Sequence, residues 1–133
     1  MNVLLDTCAL IWTLTDDPKL SQTARAILRD PATVTHVSAV SLLEMAIKIS
    51  IGKLAIEGVS LPSLPDVLTA HGARLIAVEP AEAVALAALP FYDGHHDPFD
   101  RLLVVQAMRR NLTLVSPDDK IPHYRQHGLA LIW

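Results

Sequence analysis

Five carboxylates stand out in this 133-residue chain because of what surrounds them. Asp6 closes the apolar run Val3-Leu4-Leu5, and Glu44 lies within the apolar segment that runs from Val40 to Ile51. Asp97 and Asp100 flank Pro98-Phe99 just ahead of Leu102-Leu103-Val104-Val105, and Asp118 follows Leu114-Val115-Ser116-Pro117. Acids set against apolar chain are costly to bury unless a positive partner meets them. No His/Cys pattern with ligand spacing accompanies them, so the donor set is oxygen and the matching ion is hard, Mg²⁺ or Mn²⁺ rather than Zn²⁺. Four or five carboxylates leave room for two ions, the arrangement that clamps attacking and leaving oxygens in phosphodiester hydrolysis. Each acid also has an ordinary role available. Asp97 can cap a helix, Asp100 can pair with Arg101, Glu44 can pair with Lys48, and one of Asp118 and Asp119 can cap a turn.

For these acids to act together, the elements between them must bring them to one place. Val3-Leu4-Leu5 reads as a buried strand, followed at once by a helix over Thr7 to Leu14. Ser21 caps a second helix that runs to Asp30, and the β-branched alternation of Thr33 to Ser38 predicts a second strand. A helix from Val40 to Ser50 stops at Ile51-Gly52-Lys53-Leu54; another runs from about Pro65 to His71 with Gly72 as its stop. Arg74 to Val78 is the third strand and Pro80 to Leu89 an alanine-rich helix. The loop 91–96 leads into a buried helix with Asp97 as N-cap, Pro98 as first residue and Asn111 as stop. Leu112 to Ser116 is a fourth strand, Lys120 to Gln126 a short helix, and Leu129 to Trp133 a final strand. Strands alternating with helices predict an α/β fold whose parallel sheet of four to five strands is covered on both faces. Ligands in such sheets bind at the carboxyl ends of the strands. Asp6 and Asp118 fall at those ends, Asp97 and Asp100 at a helix N-terminus on the same rim, and Glu44 one turn into the helix after strand two.

The length suits one domain spanning 1–133. No apolar run approaches the ~18 residues of a membrane span, and Met1 to Asp6 offers neither a basic n-region nor a cleavage site. With Cys8 the lone cysteine, a cytoplasmic location is expected. A net charge of −3 argues against a binder that holds nucleic acid by global attraction. It leaves room for an enzyme that neutralises its own acidic site with metal. Hydrophobic content of 51% suggests self-association or a partner, with Trp12 and the 51–54 segment near the surface.

Four pieces in series carry a resemblance. They are Val3-Leu4-Leu5-Asp6-Thr7; Ser38-Ala39-Val40-Ser41-Leu42-Leu43-Glu44-Met45-Ala46-Ile47-Lys48 with Gly52-Lys53-Leu54; His95-His96-Asp97-Pro98-Phe99-Asp100-Arg101 with Gln106-Ala107; and Leu114-Val115-Ser116-Pro117-Asp118. In this order, over nearly the whole chain, they resemble the PIN-domain ribonuclease toxins of the VapC family. The resemblance implies a PIN-like three-layer sandwich and a Mg²⁺-dependent endoribonuclease (Mn²⁺ as substitute) that hydrolyses RNA by metal-activated water. It also implies a toxin of a type II toxin–antitoxin module, held by a VapB-like antitoxin and usually homodimeric. Asp6, Glu44 and Asp118 match three of the family's four acidic positions. Asp100 is the choice for the remaining one by register, with Asp97 as an additional metal contact. Thr7 and Ser116 resemble small hydroxyl residues that orient the acids, although threonine is more usual where Ser116 stands. Arg101 is a supporting residue, expected to pair with Asp97 or Asp100.

Two other readings compete. A phosphatase using Asp6 as nucleophile lacks its usual second acid two residues on, where Cys8 stands. A non-catalytic module would use the acidic rim to hold a structural cation only. Lys48, Lys53, Arg109 and Arg110 are candidates for a basic rim around the acids, His95 and His96 are left out of the catalytic set, and Cys8 is expected in the core.

Overall fold

Consecutive apolar residues in a strand point to opposite faces, so Val3, Leu4 and Leu5 demand cover on both sides. They receive it. The computed structural model describes residues 1–92 and 94–133; Asp93, within the expected 91–96 loop, lies outside the described residues. β1 (Asn2–Leu5) pairs in parallel with both β2 (Val34–Ser38) and β4 (Thr113–Val115). β3 (Arg74–Ile76) adds to β2 and β5 (Leu131–Ile132) to β4, giving a five-stranded parallel sheet of order β3-β2-β1-β4-β5. The helices are α1 (Thr7–Leu14), α2 (Gln22–Arg29), α3 (Ala39–Ser50), α4 (Leu64–Ala70), α5 (Pro80–Ala85) and α6 (Pro98–Arg110). Short 3₁₀ turns cover Leu61–Ser63, Leu86–Ala88 and Ile121–His127.

On one face Val3, Leu5, Val37 and Val115 pack against Leu10, Ala24, Met45, Leu64 and Leu68 from α1 to α4. On the other, Leu4 and Leu114 pack against Leu103, Val104, Ala107 and Tyr124. The expected three-layer arrangement follows from this period-two division. Strand and helix ends differ from the sequence reading for local reasons. β3 stops at Ile76, not Val78, because its partner β2 ends at Ser38, whose side chain turns to cap α3 by accepting from Val40 N at 3.0 Å. α5 ends at Ala85 and tightens into a 3₁₀ turn before Pro90, and the helix expected over Lys120 to Gln126 is likewise 3₁₀.

α6 is held at both ends. Asp97 Oδ1 accepts from Phe99 N (2.8 Å) and Asp100 N (3.2 Å), and Asn111 closes the helix in the left-handed region at φ 53°. Within the helix Gln106 is fully buried; its Oε1 accepts from Ser38 Oγ at 2.5 Å and its Nε2 donates to Glu82 Oε2 at 3.0 Å. Arg110 Nε donates to the other Glu82 oxygen at 2.5 Å. Burial alone would raise the Glu82 pKa, but these bonds and the Glu79 backbone outweigh it and bring it down to about 2. One buried carboxylate thus clamps α5 to the far end of α6, and fixes the helix whose near end carries two of the acids. Among the described residues no helix is long and apolar enough to cross a membrane.

Candidate metal centre

The carboxyl end of β1 runs straight into α1, and Asp6 is the hinge between them. Its backbone N–H extends the ladder to Val115 O (3.0 Å), while its Oδ1 caps α1 by accepting from Ala9 N at 2.7 Å. Its Oδ2 accepts from Ser116 Oγ at 2.5 Å, across 110 residues of chain. Asp6 is 3% exposed. Burial raises its pKa to about 6, the Ser116 and Ala9 bonds pull it down, and the charges of Glu44 and Asp118 push it up again. Glu44, one turn into α3, is buried beside it. Thr7 Oγ1 donates to Glu44 Oε1 at 2.8 Å, and Lys48 Nζ sits 2.7 Å from Oε2. Thr7 thus holds Glu44, and Ser116 holds Asp6 while also accepting from Asp118 N at 3.2 Å.

Asp100 enters from the first turn of α6. Burial raises its pKa to about 7, and the charges of Asp97, Asp6, Glu44 and Asp118 all push in the same direction. Asp118 enters from the turn after β4, where its Oδ1 accepts from Lys120 N at 2.8 Å; it therefore makes the turn cap as well as facing the other acids. Four segments of chain deliver four carboxylates close enough to repel one another. Among the described residues, the donor atoms of Asp100, Asp118 and His95 lie within 4.8 Å of each other. Carboxylates crowded at a half-buried rim, with a buried nitrogen turned toward them, fit a divalent cation.

The PIN domain family model matches residues 3–126. The chain belongs to the PIN domain family. PIN domains are nucleases that use divalent metal ions. Solved PIN structures with the same fold include VapBC2 from Rickettsia felis bound to a DNA fragment from its promoter, at 17% identity and TM-score 0.66, covering 99% of this chain and 98% of that one. VapBC-1 from nontypeable Haemophilus influenzae aligns at 18% identity and TM-score 0.63, over 99% of this chain and 97% of that one. FitAcB from Neisseria gonorrhoeae aligns at 19% and 0.58, over 100% and 97%. A search of curated proteins finds no match.

Several expectations at the PIN site are corrected. Arg101 pairs with neither Asp97 nor Asp100. It is 2% exposed and donates to Leu89 O (2.9 Å), Pro90 O (2.9 Å) and Tyr124 Oη (3.0 Å), with its guanidinium 3.9 Å over the Phe91 ring. Neighbours on a helix point about 100° apart, so Arg101 faces the interior while Asp100 faces the rim. Cys8 is exposed, one position round α1 from buried Thr7, and not a core residue. The residue is accessible but its thiol is partly shielded from water, which raises it to about 11, and the nearby charge of Asp6 adds to that, so it is not a thiolate. Arg109 and Arg110 are not on the rim. They end a 13-residue helix whose start carries the acids, roughly 18 Å away, and Arg110 is engaged by Glu82. Lys48 does stand at the site, paired to Glu44.

His95 was missed. It is 2% exposed, its Nδ1 is 2.8 Å from Tyr124 Oη, and its Nε2 stands 3.7 Å from Asp118 Oδ2 and 3.9 Å from Asp100 Oδ2. Burial lowers its pKa, against the pull of Asp118. Lys120, also unforeseen, anchors the same loop by donating from Nζ to Gly94 O at 2.9 Å. The only sequence signal for either was proximity to Asp97 and Asp118, which does not distinguish a buried histidine from a solvated one.

Proposed function

We propose that this PIN domain is a Mg²⁺-dependent endoribonuclease, with Mn²⁺ as substitute, and the toxin of a type II toxin–antitoxin pair. One observation carries it: Asp6, Glu44, Asp100 and Asp118 come from four separate segments to the carboxyl end of the sheet, where burial first and then the neighbouring acids raise Asp6 and Asp100, a state that a divalent cation relieves. In this reading Asp100 and Asp118 hold the cation most directly, and Asp6 and Glu44, each oriented by a hydroxyl, complete the negative pocket. Asp97 keeps Asp100 in place by capping α6 and adds charge beside it. When bound, the cation would supply positive charge to a phosphodiester and acidify an attacking water. Arg101 supports the site through Tyr124 and the 89–90 backbone and does not touch phosphate. Lys48 and Lys120 supply the local positive charge that a chain of net charge −3 needs to hold RNA.

The named solved structures include an antitoxin-bearing complex on DNA, VapBC2. By the same reading this chain pairs with a VapB-like antitoxin and forms a homodimer. The test is cleavage of a structured RNA by the purified chain. Cutting with Mg²⁺, abolished by EDTA and by Asp6→Asn or Asp118→Asn in variants that keep the parent Tm, is the expected result. Cutting that survives EDTA or either substitution would overturn the metal-dependent mechanism.

A further inference from the structure

The acidic centre of the preceding section is an all-oxygen site on sequence grounds, yet the structure aims a nitrogen at it. Among the described residues His95 Nε2 is the buried side-chain polar atom without a hydrogen-bond partner. Its nearest polar neighbours are Asp118 Oδ2 at 3.7 Å and Asp100 Oδ2 at 3.9 Å. Those distances are too long for hydrogen bonds. They fall between the roughly 3 Å of adjacent and 4.2 Å of opposite ligands on an octahedral ion with bonds of about 2.1 Å, so an ion shared by these donors would need only side-chain shifts of under about 1 Å to seat them.

The other ring nitrogen is fixed as a ligating histidine requires. Nδ1 meets Tyr124 Oη at 2.8 Å, and Tyr124 receives a hydrogen bond from Arg101 Nη1 at 3.0 Å. Arg101 is in turn tied to the backbone at Leu89 and Pro90. This chain of buried contacts sets the ring plane and points Nε2 at the carboxylates, the outer-shell arrangement that tunes ligating histidines. We infer that His95 Nε2 is a direct ligand of the cation held by Asp100 and Asp118, and that this mixed nitrogen–oxygen centre prefers Mn²⁺ to Mg²⁺. The inference rests on the reading that the acids bind a cation. Imidazole suits first-row transition ions, whereas Mg²⁺ is served by carboxylate and water, so the nitrogen separates the two ions.

The test uses the full chain and Mn²⁺ alone. Pulsed EPR of bound Mn²⁺ should show ¹⁴N coupling from a coordinated imidazole in the parent and in the His96→Gln control, and none in His95→Gln. Calorimetry should show Mn²⁺ affinity falling about tenfold or more in His95→Gln, a loss of the size seen when a metal site's histidine is disturbed. Mg²⁺ affinity should change less than about threefold, because Mg²⁺ gains little from imidazole. Should His95→Gln fail to fold, ¹⁵N-histidine labelling of a chain carrying His96→Gln, His123→Gln and His127→Gln replaces it. That leaves His95 with His36 and His71, whose Nδ1 atoms are engaged by the Val3 and Val67 carbonyls, and the coupling pattern must change to that of ¹⁵N. Mn²⁺ bound without nitrogen coupling, or with coupling that survives His95→Gln, overturns the ligation and leaves the acidic centre standing. A parent chain that binds no Mn²⁺ at all overturns the centre itself, and the ligation with it.

Discussion

At the scale of single residues, Asp100 is where the site works against the fold. Its pKa is about 7 in the folded chain against an ordinary 3.8, so between those values the folded state binds more protons than the unfolded one. Stability therefore falls as pH rises through that window in the absence of metal. His95, held low by burial, acts in the opposite sense below its ordinary 6.5, and Glu82 acts only between about 2 and 4.5. Asp6, raised to about 6, contributes to the same decline between 3.8 and 6. Asp100→Asn should therefore make the decline shallower and remove the part between about 6 and 7, and at pH 7.5 should stabilise the chain by roughly 2 kcal/mol, a figure trimmed for its partly exposed side chain. It should also gain less Tm from Mg²⁺ and lose RNA cleavage. Thermal melts from pH 4 to 8 with EDTA and with Mg²⁺ check all three; a helix-capping role for Asp100 predicts a lower Tm and an unchanged metal response. That Asp6, Glu44, Asp100 and Asp118 would come to one rim was legible from their places relative to strand and helix ends, Asp6 most clearly, because an acid closing an apolar strand has few other reasons to be there. His95 was not, because its burial is made by Tyr124, 29 residues on, and no local pattern announces that. Arg101 misled because adjacency in sequence is not adjacency on a helix.

At the scale of elements, α6 separates function from stability along its own length. Its N-terminal turn carries Asp100, and its C-terminal turn carries the Arg110–Glu82 clamp. Arg110→Ala leaves Glu82, 4% exposed, without its counter-charge, and should cost about 2–4 kcal/mol as other broken buried pairs do. Calorimetric Mg²⁺ affinity should not change, since the site is at the other end of the helix. The β1–β4 seam behaves oppositely. Ser116 Oγ donates to Asp6 Oδ2 and accepts from Asp118 N at 3.2 Å, so one hydroxyl orders two acids. Without it Asp6 rises above about 6; Ser116→Ala should move the pH of half-maximal Mg²⁺ binding upward, and Ser116→Thr should restore it. The order and type of the elements were readable from hydrophobic period and caps. Their last residues were not, because β3 and β5 end where their ladder partners end, a tertiary fact.

At the scale of the whole molecule, Leu43, Ile47 and Ile51 are exposed by 54%, 40% and 58%, at the four-residue spacing of one helical stripe on and just past α3. A second chain or an antitoxin seated on this stripe would cover the exposed side of α3, while buried Glu44, about 100° round the same helix, faces the acids. Ile47→Lys should shift the chain toward monomer in light scattering at micromolar concentration, with its melt otherwise intact; an unchanged dimer would place the interface elsewhere. Trp12, expected near the surface, is half-buried, its ring 5.7 Å from that of the exposed Trp133. The sheet order carries a consequence in time. β1 sits in the centre between β2 and β4, so it waits for a partner made more than a hundred residues later. At the ~5–20 residues per second of synthesis that is an interval of several seconds or more. Throughout it Asp6 has neither Ser116 nor Asp118, and a growing chain halted before Thr113 should bind no Mn²⁺ and cut no RNA. The order of synthesis thus sets the order of assembly: Asp6, among the first residues made, waits until β4 has emerged to place Ser116 and Asp118 beside it.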